Sequence, residues 1–372
     1  MKHGIKKKIP KAIMIAAALI LFVSLVITGI MLYGKYQISK IPNLSFREAL
    51  AYTTGDNEEA VITVGIIRDG KKSFKVYGEN GSELPAEIHT YEIGSVTKTI
   101  TAALINKATV EKKVNLDDTI EQYLSLPDGN EYPTIEELLT HTSGYKGYYF
   151  ESPMISNFFK GRNDFYGITR EMILERAGGL NMDESYGFSY SNYGYALLGL
   201  VLEAVYDTSY TTLANDFLQR DLGLTGTGVG RDGDLGNYWE WDTNDAYLPA
   251  GAVTSNITDM LTYAQLQLEG NPYFSGCHKS LKAIHASSGD YEAMGIRMDE
   301  IGMSWIIDKE NDIIWHNGGT GHFNSYIGFH METETAVVVL SNLAPNYRIP
   351  ATVLGVKLLT EQYKGETNYG DI

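Results

Sequence analysis

The sequence predicts an α+β fold in which both chain ends build one antiparallel sheet flanked by helices, with a mainly helical lobe inserted between them. Three observations carry this prediction. Near the front, 61–68 is an apolar, β-branched run that turns at Asp69-Gly70 and returns over 73–77, the pattern of a hairpin. Near the back, short apolar runs recur at 303–307, 313–316, 324–329 and 336–340, with 308–312 as a polar turn between the first two. Between these ends, roughly 95–270, the pattern is mainly helical.

Each helix has its own signal. Residues 99–108 contain neither Gly nor Pro and can bury Ile100, Ala103 and Leu104 on one face. Thr134-Ile135-Glu136-Glu137 opens a helix with a capping box. Further helical runs fall at 171–177, 195–205, 213–220 and 258–268, and a last one at 351–363 closes the chain. No internal repeat is present, so the segment 60–372 reads as one composite domain in two lobes with a cleft between them.

The N-terminus carries a different message. Lys2, Lys6, Lys7, Lys8 and Lys11 form a basic segment over 1–11, and 12–34 has no charged residue. About 20 apolar residues cross a bilayer as a helix, so 12–34 is long enough to be a transmembrane anchor. A cleavable signal has an apolar core of about 7–15 residues and a small-residue cleavage site, and the longer stretch here fits an uncleaved anchor better. The lysines are then cytoplasmic and the remainder extracytoplasmic, with 35–59 as a tether. Residues 35–372 hold 25 basic against 46 acidic side chains, a net of −21. Such a surface excludes nucleic acid as a partner. The single Cys277 cannot form an intramolecular disulfide and reads as a packing residue.

Ser95-Val96-Thr97-Lys98 is the strongest chemical signal. It places a hydroxyl and an amine one helical turn apart, at a helix start where unpaired N–H groups favour a developing anion. A desolvated lysine can take the proton of such a serine. A second copy, Ser143-Gly144-Tyr145-Lys146, sits among turn-forming residues and lacks the helix that would fix its geometry. Tyr190-Ser191-Asn192 puts a phenol and a carboxamide at a loop-to-helix junction. Of 26 tyrosines only Tyr190 is followed two positions later by Asn, which singles it out. His316-Asn317-Gly318-Gly319 ends an apolar strand with glycines that let backbone N–H groups approach a ligand.

These stretches, in this order, resemble the penicillin-recognising serine hydrolases, in particular the class C β-lactamase-like branch with Ser-x-x-Lys, Tyr-x-Asn and a terminal Lys/His-x-Gly box. Leu138-Leu139-Thr140-His141-Thr142-Ser143-Gly144 and Pro249-Ala250-Gly251-Ala252-Val253-Thr254-Ser255 are also similar to that branch, and the resemblance covers about 60–361. It implies an α/β sheet lobe with a helical lobe and an acyl-enzyme at Ser95. Lys98 and Tyr190 share the role of general base, Asn192 binds the substrate amide and helps orient Lys98, and the N–H groups of Ser95 and Gly319 form an oxyanion hole. One position departs from penicillin-directed members, which carry lysine where this chain has His316. Histidine is mostly neutral at pH 7 and is a weaker anchor for a substrate carboxylate. The resemblance therefore implies an amide or peptide substrate, with D-amino acids, for a membrane-anchored hydrolase. Ester or weak β-lactam hydrolysis is the alternative within the same site, and a penicillin-binding sensory module without turnover is a third reading.

Other signals are set aside. Residues 65–71 nearly match a phosphate-binding loop, but Lys72 stands where Ser or Thr is required. The eight histidines show no zinc spacing, and Asp232, Asp234, Glu240, Asp242 and Asp245 do not match a calcium loop, so no metal or cofactor is expected. Tyr145, Tyr148, Tyr149 and Phe150 either wall the substrate cleft or pack as a surface loop.

Overall fold

A computed structural model describes residues 38–365 apart from Asp183, together with scattered positions between 20 and 36. The chain divides into two compact units, Met1–Leu44 and Ser45–Ile372. In the first, the described positions 20–38 are helical and Ile41–Asn43 forms a 3-10 turn. The expected basic segment 1–11 and much of the expected anchor 12–34 lie outside the described residues. Among those described, no helix is long and apolar enough to cross a membrane.

The second unit begins before position 60, which corrects the expected tether. Helix α1, Phe46–Thr54, occupies part of 35–59 and buries Phe46, Ala49 and Leu50. Ser45 and Glu48 close a capping box around its first turn: the Ser45 side chain accepts from the Glu48 N–H and the Glu48 carboxylate from the Ser45 N–H. The helices that matter for the site follow as α2 (Thr97–Val110), α3 (Ile135–Leu139), α4 (Asn192–Tyr206), α5 (Ile257–Leu268) and α6 (Ala351–Tyr363). α3 starts at the expected box on Thr134 and Glu137. α4 buries every residue from Tyr193 to Leu202, as expected of a helix inside a helical lobe. The helix expected at 213–220 instead ends at Asp216 and continues as a π-turn over Phe217–Asp221.

The two chain ends meet in one sheet. Its strands are β1 (Ile62–Arg68), β2 (Lys71–Tyr77), β3 (Glu83–Leu84), β4 (Lys282–Ala283), β5 (Glu300–Ile301), β6 (Ile306–Asp308), β7 (Ile313–Gly319), β8 (Asn324–His330) and β9 (Thr335–Ser341). They lie in the order β3-β2-β1-β9-β8-β7-β6-β5-β4. β1 and β9 pair antiparallel, with Ile62 opposite Ser341 and Ile67 opposite Ala336. β8 and β9 are buried at every position because helices cover both faces. A Cβ on Gly65 would strike Ile257 and Leu261 of α5, and one on Gly355 of α6 would strike Tyr326 from the other side. The strand expected at 303–307 is shorter, since Ser304 turns the chain at φ 71° before β6.

A second, three-stranded sheet joins Thr90–Glu92, Val253–Asn256 and Gly228–Val229. Runs of two to four residues carry no readable period, so this sheet was not expected in the region read as mainly helical. It ties the start of the Ser95 segment to the segment 249–255, and the Ile93 N–H donates to the Val253 carbonyl at 3.0 Å.

Candidate active site

Ser95 sits in a 3-10 turn, Gly94–Val96, that runs directly into α2. The turn depends on two glycines. Gly94 has φ 50°, and a Cβ there would lie 2.5 Å from the Gly319 nitrogen; a Cβ on Gly318 would lie 1.9 Å from the Ile93 carbonyl oxygen. The end of β7 is thus pressed against the Ser95 turn, which brings the backbone of Ser95 and Gly319 side by side. The Ser325 hydroxyl donates to the Ile93 carbonyl at 2.8 Å and secures the same contact from β8.

Lys98 lies one turn further along, wholly buried. Its Nζ donates to Ser95 Oγ at 3.1 Å and to the Ala250 carbonyl at 2.6 Å. It also faces the rings of Tyr190 and Tyr195 at 4.9 and 5.5 Å. Burial holds the Lys98 amine well below its ordinary pKa. Tyr190 moves the opposite way. Two-fifths of its surface is open to solvent, yet its hydroxyl end is enclosed by protein. Burial raises the phenol pKa, and a hydrogen bond with Ser95 opposes part of that rise. Serine, lysine and tyrosine therefore converge, as the sequence suggested.

The remaining predicted residues are placed less uniformly. Asn192 opens α4 and is half-buried; its backbone N–H donates to the Gly147 carbonyl at 3.0 Å. Asn192 is expected to help orient Lys98, and among the described residues no hydrogen bond joins the two. The Ala250 carbonyl does that work. It is a backbone atom 152 positions away, and no side-chain pattern announces it. His316 is buried in β7 beside Lys98, and its Nδ1–H donates to the Asn317 carbonyl at 2.6 Å. Burial first, then the Lys98 charge, press its pKa down to about 3, so the imidazole is neutral. Gly318 and Gly319 form the strand end beside Ser95.

Glu92 escaped the sequence reading. It is buried three residues before Ser95; its carboxylate accepts from the Thr320 hydroxyl and from the Trp239 N–H. Burial raises its pKa. It pins the end of β7 and the loop around Trp239 to one point. That loop, part of the acidic stretch, is further tied down where the Asp234 carboxylate accepts the Thr90 N–H. Of the aromatic cluster, Tyr145 and Tyr149 pack on Tyr193 at 5.1 and 4.9 Å, whereas Tyr148 and Phe150 are exposed. The second Ser-x-x-Lys copy makes no Ser–Lys bond: Ser143 receives the Tyr145 N–H, and Lys146 lies over Tyr149. Cys277 is buried with its thiol pKa raised by burial.

A sheet covered by helices, with a serine and a buried lysine of depressed pKa at a helix start, defines a serine hydrolase of the penicillin-recognising superfamily. The chain belongs to the Beta-lactamase family, whose model matches residues 49–357. Protein flp of Staphylococcus aureus is 26% identical over 284 residues, which cover 69% of this chain and 53% of that protein. The chain thus spans about half the length of the curated relatives it matches. Among solved structures, a β-lactamase/D-alanine carboxypeptidase from Yersinia pestis in complex with citrate superposes with TM-score 0.68 at 19% identity, covering 88% of this chain and 99% of the other. An octameric penicillin-binding protein homologue from Pyrococcus abyssi gives 0.65 at 23% identity, over 86% and 75% of the two chains. At these identities the structural likeness establishes the fold.

Proposed function

We propose that the protein is a membrane-anchored, extracytoplasmic hydrolase that works through an acyl-enzyme on Ser95. The observation that carries this reading is the hydrogen bond between Ser95 Oγ and the wholly buried Lys98, whose pKa burial depresses. Ser95 Oγ attacks the substrate carbonyl carbon, and its proton passes to the Lys98 lone pair. Tyr190, held as a phenol by its raised pKa, donates its proton to the leaving group as the carbonyl–leaving-group bond breaks. Tyr190 is then reprotonated from Lys98. The N–H groups of Ser95 and Gly319 receive the oxyanion, at roughly 3–4 kcal/mol per donor in comparable sites. Water then repeats the sequence and releases the acid.

His316 bears on the substrate. A neutral imidazole offers no cation to a carboxylate beside the scissile bond. An amide of a D-amino acid recognised away from a free carboxylate fits this site, and esters are favoured as a second class by the same observation. The test is intact-mass analysis of the full chain after exposure to a fluorophosphonate and to a penicillin. A single fluorophosphonate adduct, lost in Ser95→Ala, is expected, with slow penicillin labelling. Equal labelling of Ser95→Ala and wild type would remove Ser95 as nucleophile.

A further inference from the structure

His141 has no role in the mechanism above, yet it lies at the centre of the site in a conformation that needs explaining. α3 ends in a Schellman turn. The His141 N–H donates to the Leu138 carbonyl and the Thr142 N–H to the Glu137 carbonyl. In this turn the residue after the C-cap takes a left-handed conformation and is usually glycine. Here it is a histidine at φ 57°, a backbone state that L-residues avoid. Such a residue points to its side chain as the reason for the choice.

The ring is 1% exposed. It lies over Tyr190 at 4.4 Å between centroids and over Tyr195 at 5.1 Å. Its Nδ1 accepts the backbone N–H of Ser191, the residue next to Tyr190, at 3.0 Å. The His141 carbonyl accepts the Ser189 N–H on the other side at 2.8 Å. Tyr190 is therefore held from both flanking residues and from one ring face by a single residue. Because Nδ1 accepts, the imidazole hydrogen sits on Nε2, which has no partner among the described residues. Tyr190, Tyr195, Lys98 and His316 are the titratable groups that bear on it. Protonation of Nδ1 would break the Ser191 bond, so the arrangement requires a neutral ring.

We infer that His141 is a positioning residue that fixes the Tyr190 hydroxyl beside Ser95 and helps keep water from Lys98. This rests on the reading of Ser95, Lys98 and Tyr190 as the acylating group. The ring substitutes for solvent against the two tyrosines that enclose the lysine, so its removal lets water in. Lys98 then titrates closer to an ordinary amine, and the pH at which it loses its proton rises.

Glycine is the natural occupant of the turn, so His141→Gly removes the ring without straining α3. The experiment follows the rate of labelling by a fluorophosphonate against pH, in the full chain, for wild type, His141→Gly and His141→Phe. In that reaction the Ser95 Oγ–phosphorus bond forms, the phosphorus–fluorine bond breaks, fluoride leaves, and the serine proton goes to Lys98. His141→Gly is expected to label 10- to 100-fold more slowly at pH 7, with an acid limb displaced upward by about one pH unit or more. His141→Phe keeps a ring but not the Nδ1 acceptor, and should remain at least 10-fold slow. If His141→Gly labels at the wild-type rate with the same acid limb, or His141→Phe restores that rate, the inference is overturned. If wild type itself fails to label at Ser95, the proposed function fails first, so the two failures are distinguishable.

Discussion

At the residue scale the site is governed by the removal of water from three groups. Lys98 is the clearest case. Below about pH 10 the unfolded chain protonates this amine, whereas burial in the folded chain holds its pKa well below that value. Its folded pKa is depressed, so this contribution to stability is lost as pH falls from the unfolded value toward the folded one. Lys98→Met is therefore expected to raise the melting temperature at pH 7 while abolishing labelling of Ser95. The gain should shrink as pH approaches 10, and thermal denaturation between pH 6 and 10 measures it. A variant less stable than wild type at pH 7 would contradict a neutral, desolvated lysine. His316→Lys tests the missing cation. It should increase penicillin acylation at least 10-fold, read by intact mass, and destabilise the fold because a second amine is buried beside Lys98. No gain in penicillin labelling would remove the carboxylate-anchor explanation.

At the element scale the decisive contact is between the turn that carries Ser95 and the end of β7. Both sides approach through glycine, and the space for a Cβ on Gly318 is already filled by the Ile93 carbonyl and the Ser325 hydroxyl. Gly318→Ala is predicted to cost about 1–3 kcal/mol and to slow Ser95 labelling at least 10-fold, since the strand end must withdraw from the turn. Urea denaturation and labelling kinetics on the same sample check both parts. A variant with unchanged stability and rate would show that the contact is looser than described. Glu92 works at this scale too, since one buried carboxylate fastens Thr320 and Trp239 to the strand just before Ser95.

At the scale of the whole molecule, β1 from the front of the chain completes a sheet whose other central strands come from the back. The helical lobe is consequently an insertion whose two ends are held by one sheet. The strong negative charge of 35–372, with 25 basic against 46 acidic side chains, belongs to this scale as well. For the proposed anchor, full-length protein should remain in the membrane pellet after alkaline carbonate extraction, and a chain starting at Ser45 should be recovered in the supernatant. Release of the full chain by carbonate would refute the anchor without touching the catalytic reading.

The sequence by itself determined the fold class and picked out the candidate side chains that the structure brings together, because both are written in short-range patterns. The hairpin at 61–77, the capping box at Thr134 and the three-residue step from Ser95 to Lys98 depend on neighbours within one turn or one strand pair. The same kind of signal was present at Ser45 and Glu48, where the capping box of α1 was readable although the segment seemed a tether. What the tertiary structure alone decided is the state of those side chains and what holds them. The carbonyl that orients Lys98 is 152 positions distant, the strands of the small sheet are too short to show a period, and His141 and His316 owe their neutrality to packing by elements far apart in the chain. Hydrogen-bond geometry and desolvation are properties of the assembled environment, so a chain can name its catalytic groups locally while their charge and aim arise only once it has folded.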